Sequence, residues 1–138
     1  YDVAVSSSGN HDNRNYEADW GEKWQGLLEY TDEDIDDGDT NYDFKQTNYD
    51  NQANQLLAKN LKGKLMLAHG NLDDNVPPYS TLLVVDALIK ENKDFDLIIF
   101  PNKRHGYGDM NNYFTRKKWD YFVKHLKGIE PPKEFEMK

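Results

Sequence analysis

The chain of 138 residues has no cysteine, which rules out disulfides, thiolate catalysis and Cys-ligated zinc and leaves its redox compartment open. It is also poor in positive charge. Lys and Arg number 17 against 25 Asp and Glu, a formal net charge of -8, and this argues against a nucleic-acid binder, which needs a basic face to displace counterions from phosphates. No apolar run approaches the ~18–20 residues of a membrane span, and the first residues, YDVAVSSSGNHD, show neither a basic region nor a small-residue cleavage site. They begin without Met on a strand-like run, which sets the expectation of a piece of a longer polypeptide.

What the chain does have is unevenly placed. Glu29 to Asp43 holds eight carboxylates and no Lys or Arg, whereas Lys103 to Lys127 holds seven basic residues against Asp109 and Asp120. The acidic stretch, residues 29–49, reads as a solvated loop. At this length one domain with one core is expected. Tyr1 to Ser6 reads as a strand ended by Gly9-Asn10. Tyr16 to Leu28 carries Tyr16, Trp20, Trp24, Leu27 and Leu28 at helical spacing, interrupted by Gly21 and Gly26. Asp50 to Leu61 reads as a short helix with Ala53, Leu56, Leu57 and Leu61 inward. KLMLAHG is a buried strand, and after Pro77-Pro78 a helix runs from about Tyr79 to Asn92 with Leu82, Val85, Leu88 and Ile89 facing the core. DFDLIIF is the next strand, and a last helix from about Tyr113 to Leu126 presents Trp119, Phe122, Val123 and Leu126.

Strands alternating with helices of this length predict an α/β fold, about three parallel strands with flanking helices. Ligands in such sheets sit beyond the carboxyl ends of the strands, so the residues after Ser6, Ala68 and Phe100 carry the information. After Ala68 comes HGNLDDNVP, with Asp73, Asp74 and Asn75; after Phe100 comes PNKRHGYG, with His105. An Asp and a His on successive loops at one sheet edge are placed to hydrogen-bond, the carboxylate fixing the imidazole tautomer so that its other nitrogen can move a proton. Asp before His is also their order in α/β-hydrolases. The plainer readings stay open at this level: an Asp pair before a Pro-started helix is a good cap, and a lone His in a loop needs no role.

Three stretches together, LMLAHGNLDDNVPP, FPNKRHGYG and SSSGNHDNRNYEADWGEKWQG, resemble the prolyl oligopeptidase family of serine peptidases, in particular its dipeptidyl peptidase IV branch, and the separation of 32 residues between Asp73 and His105 suits that family. The resemblance covers nearly the whole chain. It implies that Asp73 orients His105, that His105 is the general base and then the general acid, that Asn75 binds a substrate carbonyl, and that Val76, Tyr16 and Trp20 line a proline-accepting pocket. Trp20 stands where the family usually has Tyr. The implied reaction is release of Xaa-Pro or Xaa-Ala dipeptides from peptide N-termini, without a metal or other cofactor and in a periplasmic or extracellular setting.

No G-x-S-x-G elbow is present, since Ser6, Ser7 and Ser8 have no Gly two residues before them and Ser80 falls inside a predicted helix. The resemblance therefore implies that residues 1–138 are the C-terminal portion of a catalytic domain, with the nucleophile-bearing half and a β-propeller upstream, and that the piece alone is inactive. It also implies a strand edge at Tyr1 to Ser6 left without its neighbour, hence dimerisation of the isolated piece. Alternatives are another hydrolase of the fold, such as an acylaminoacyl peptidase or esterase, and a non-catalytic binding domain, for which Asp73 with His105 would be superfluous. The alternating Asp32, Asp34 and Asp36 with Asp43 suggest calcium, but Asp37 stands where an EF-hand loop needs its Gly.

Overall fold

The computed structural model describes residues 1–30 and 47–137. The acidic Asp32, Asp34, Asp36 and Asp43 lie outside the described residues. On either side of them Tyr30 is bridged to Thr47, and the Asn48 side chain donates to the Leu27 carbonyl at 2.8 Å.

Three strands, β1 (Val3–Ser7), β2 (Lys64–Gly70) and β3 (Asp96–Phe100), form a parallel sheet in the order β1-β2-β3. Val3 pairs with Lys64 and Ser7 with Ala68; Met66 pairs with Asp96 and Gly70 with Phe100. β2 lies between two neighbours and under helices on both faces, and this is why its sequence is an unbroken apolar run. Alternate residues serve the two sides. Met66 and Ala68 pack with Phe100, Tyr107, Phe114 and Tyr121 beneath α3 (Asn111–Lys127), whereas Leu67 packs with Ala58, Val84 and Leu88 beneath α2 (Pro78–Lys90). Pro78 opens α2, where a missing N–H costs nothing, and Gly128, left-handed at φ 65°, closes α3.

The helices differ from the sequence reading in extent and in facing. α1 is confined to Ala18–Gln25, ending at Gly26. Its buried residue is Gly21, against Asn13 and Tyr49, while Trp20, Trp24 and Leu27 are exposed. The helix expected over Asp50 to Leu61 is two separate 3₁₀ turns, Asp50–Gln52 and Ala58–Asn60, with Leu56 and Leu57 outward. In α2 the inward stripe is Thr81, Val84 and Leu88, and Leu82 and Ile89 are exposed. Thr81 and Ser80 face inward because each has a buried hydrogen-bond partner, His69 and His11 respectively. In α3 the buried residues are Phe114 and Tyr121, whereas Trp119 and Leu126 are exposed.

Candidate active site

Both loops leaving the carboxyl ends of β2 and β3 are short and tightly tied. The first, Asn71 to Pro77, is organised by Asp73, whose Oδ1 accepts the backbone N–H of Asn75 and of Val76, each at 3.0 Å. Its Oδ2 accepts from His105 Nδ1 at 2.9 Å. Asp73 thus has one oxygen for the turn and one for the imidazole. Its side chain is fully buried and that of His105 is 46% exposed. Burial alone would raise the Asp73 pKa, but the N–H of Val76, the His105 ring and the N–H of Asn75 outweigh it and hold the carboxyl below its usual 3.8. An ionised carboxylate on Nδ1 fixes the tautomer and leaves Nε2 of His105 as the nitrogen able to exchange a proton.

Asp74, one of the Asp pair that reads as a helix cap, pairs with Arg104. α2 has no side-chain cap. The two adjacent pairs, Asp73 with His105 and Asp74 with Arg104, join the same two loops side by side.

The second loop owes its shape to three successive left-handed residues, Gly106 (φ 79°), Tyr107 (φ 63°) and Gly108 (φ 54°). A Cβ at Gly106 would meet nothing within 4 Å, so glycine is there for its dihedral angle. Tyr107 has no such freedom and is held by its ring and hydroxyl. The ring stacks on Phe100 at 4.3 Å. The hydroxyl donates to the Ala68 carbonyl at 3.0 Å and accepts from Ser7 and Ser8 at 2.8 and 3.3 Å. Sequence reasoning missed Tyr107, although an aromatic between two glycines directly after the His was its signal. Ser7 and Ser8 are thereby occupied in anchoring the His105 loop, and Ser80 Oγ accepts the N–H of His11 at 3.0 Å.

Of the expected substrate-facing residues, Tyr16 and Asn75 are brought together, the Tyr16 hydroxyl donating to Asn75 Oδ1 at 3.4 Å. Burial, with the charges of Glu17, Asp73 and Asp19, pushes the Tyr16 pKa up. Trp20 meets Tyr16 edge-on at 6.4 Å, and Trp24 lies 5.9 Å beyond it. Val76 is buried. Tyr16 is placed by a buried ionic cluster that sequence reasoning also missed. Asp12 caps the 3₁₀ turn Asn13–Asn15 just before it, accepting from Arg14 and Gln55, while Arg14 reaches on to Asp50 at 2.7 Å. Among the described residues, no group of three His, Cys, Asp or Glu is placed to hold a metal ion, and no helix is long and apolar enough to cross a membrane.

Known proteins share this fold. The solved structure from Bacteroides ovatus ATCC 8483 assigned as a dipeptidyl aminopeptidase IV superposes with a TM-score of 0.71 at 27% identity, over 91% of this chain and 16% of that one. Dipeptidyl peptidase 4 of Porphyromonas gingivalis gives 0.66 at 26% identity, over 88% of this chain and 16% of that one. Dipeptidyl peptidase family member 1 of Caenorhabditis elegans is 35% identical over 54 residues, 39% of this chain and 7% of its own length. The chain therefore spans a small part of the relatives it matches. Three parallel strands with flanking helices make it α/β-hydrolase in fold, and because residues 1–128 match the prolyl oligopeptidase family throughout, the chain belongs to that family of peptidases.

Proposed function

We propose that this chain supplies the acid and the base of a serine-type dipeptidyl peptidase that releases Xaa-Pro or Xaa-Ala dipeptides from peptide N-termini. The observation that carries the reading is the Asp73 Oδ2 to His105 Nδ1 bond of 2.9 Å between two loops at one sheet edge. His105 Nε2 takes the proton of a serine hydroxyl as it attacks the scissile carbonyl, then delivers it to the departing amine; Asp73 holds Nδ1–H and balances the imidazolium. Asn75 binds a substrate carbonyl, and Tyr16, Trp20 and Val76 form the slot for a proline ring, which offers a flat apolar surface and no N–H.

The serine belongs to a preceding part of the same polypeptide, residues 1–138 being the C-terminal portion of the catalytic domain. Two observations support this. Among the described residues β1 and β3 are both sheet edges, and Leu97 and Ile99 on β3, Leu82 and Ile89 on α2 and Trp119 on α3 are exposed apolar side chains that a further part of the domain would cover.

The test is hydrolysis of Gly-Pro p-nitroanilide by the complete polypeptide carrying this chain. Asp73→Asn and His105→Gln are each expected to lower kcat by about 10³- to 10⁴-fold, and the 138-residue chain alone is expected to be inert. Undiminished turnover by His105→Gln, or equal turnover of substrates without proline or alanine at the second position, would overturn the reading.

A further inference from the structure

Beneath the Asp73–His105 pair lies a second imidazole. His69, the sixth residue of β2, is fully buried, and so is Thr81 of α2 opposite it. Nδ1 of His69 lies 2.7 Å from Thr81 Oγ1. Nε2 lies 2.9 Å from the Val76 carbonyl oxygen and 3.3 Å from Asp73 Oδ2. Both of the groups facing Nε2 are acceptors, so this nitrogen carries hydrogen, and its hydrogen bond goes to the Val76 carbonyl while Asp73 Oδ2 stands beside it. Oδ2 is the same oxygen that accepts from His105.

We infer that His69 is a positioning residue for the reaction: its Nε2–H holds the Val76 carbonyl and with it the turn whose Val76 N–H holds Asp73, and the Thr81 hydroxyl fixes the His69 ring. This rests on the reading of Asp73 and His105 as acid and base. The physical need is plain. A buried carboxylate has about four lone-pair sites to satisfy, and Asp73 takes two backbone N–H groups on Oδ1, both from the turn at Asn75 and Val76, and the His105 N–H on Oδ2. Without His69 the Val76 carbonyl loses its donor, and the turn that presents two N–H groups to Oδ1 is free to shift and carry the carboxylate with it. His105 Nε2 would then miss its line to the serine, and displacement of a reacting group by 1 Å costs about 100-fold in rate. Placed before Asp73 in the chain and bonded beyond it at Val76, His69 holds the loop from both sides. A histidine kept only for packing would need neither the carbonyl partner nor the threonine behind it.

The deciding experiment compares kcat and KM for Gly-Pro p-nitroanilide in the complete polypeptide and its His69→Leu, His69→Gln, Thr81→Val and Thr81→Ser variants. Gln keeps a donor close to the position of Nε2, and Leu keeps only volume. His69→Leu is expected to lose up to about 100-fold in kcat with KM within about twofold, His69→Gln to recover about tenfold of that loss, and Thr81→Val to lose about fivefold that Thr81→Ser restores. Folded His69→Leu with the parent kcat, equal damage in Leu and Gln, or a loss confined to KM would each overturn the inference. If His69→Leu does not fold, the threonine pair decides, and the parent kcat in Thr81→Val overturns it. Asp73→Asn and His105→Gln measured alongside separate the two claims: if they are inactive while His69→Leu is fully active, only the role of His69 falls, and if they are active, both fall.

Discussion

Lowering the pH from 7 to 5 should destabilise this fold through one residue, His11. The ring is 6% exposed and its Nδ1 lies 2.9 Å from the Asn54 side-chain amide nitrogen, which donates to it. Protonation turns Nδ1 into a second donor aimed at the first. Nε2 is buried without a partner among the described residues, and the groups around the ring, Ser80 on α2, Asn54 and the neighbouring Asp12 already held by Arg14, offer no free anion. Burial first, and the nearby His69 second, bring the His11 pKa from 6.5 down to about 4. Because the folded value lies below the unfolded one, the unfolded chain binds the proton more readily. The contribution to stability is therefore complete above pH 6.5 and is lost as pH falls toward 4. At 1.36 kcal/mol per tenfold in proton affinity, the loss is about 2 kcal/mol at pH 5 and about 3 kcal/mol at pH 4. Urea unfolding of the 138-residue chain and of His11→Asn across this range gives the measure, since the variant lacks the titrating ring. Parallel stability curves for the two, or a His11 ring resonance that titrates near 6.5 in the folded chain, would refute the reasoning.

Other substitutions probe how the site is held. Tyr107→Phe removes the hydroxyl that joins Ala68, Ser7 and Ser8 to the His105 loop and should cost about 1–3 kcal/mol in unfolding free energy. Arg14→Leu leaves the buried Asp12 without its ion-pair partner and should cost about 3–5 kcal/mol by thermal or urea unfolding. Gly70→Ala places a Cβ 2.7 Å from the Arg104 carbonyl oxygen and closer still to that of Lys103; a loss of about 1–3 kcal/mol is expected, and in the complete polypeptide a fall in kcat as the His105 loop is displaced. Sedimentation of the isolated chain should show self-association through the free edge of β1, and a monomer at high concentration would count against it.

The sheet was legible because β2 and β3 are short apolar runs bounded by turn residues, and buried parallel strands have few other ways to look. Asp73 and His105 were legible because the chain order places both just past strand ends. The helix faces were not. Hydropathy assigns a helix to the side with Leu and Ile, yet α2 turns Ser80 and Thr81 inward to meet His11 and His69, and α1 turns Gly21 inward. Each is a tertiary hydrogen bond or a close approach that no local pattern records. The segment after Asp50 has Leu and Ala at helical intervals, but its backbone breaks into two 3₁₀ turns because the Asn54 N–H goes to the His11 carbonyl at 2.9 Å.

The same two anchors explain why the Asp73–His105 distance is well defined although both residues lie on loops. The Asp73 loop rests on His69 through the Val76 carbonyl, and the His105 loop rests on Tyr107, whose hydroxyl binds the carbonyl of Ala68. Ala68 and His69 are consecutive in β2 and point to opposite faces of the sheet. One strand end therefore supports both loops, one through a side chain on the α2 face and the other through a ring on the α3 face. The register that pairs Gly70 with Phe100 sets where the two loops begin, and the bare Cα of Gly70 lets the second pass over the first. Leu88 packs on Leu67, Ala58 and Val84 and not on either loop, so substitutions at Ala68, His69 and Gly70 should disturb the Asp73–His105 geometry more than an equally buried change at Leu88.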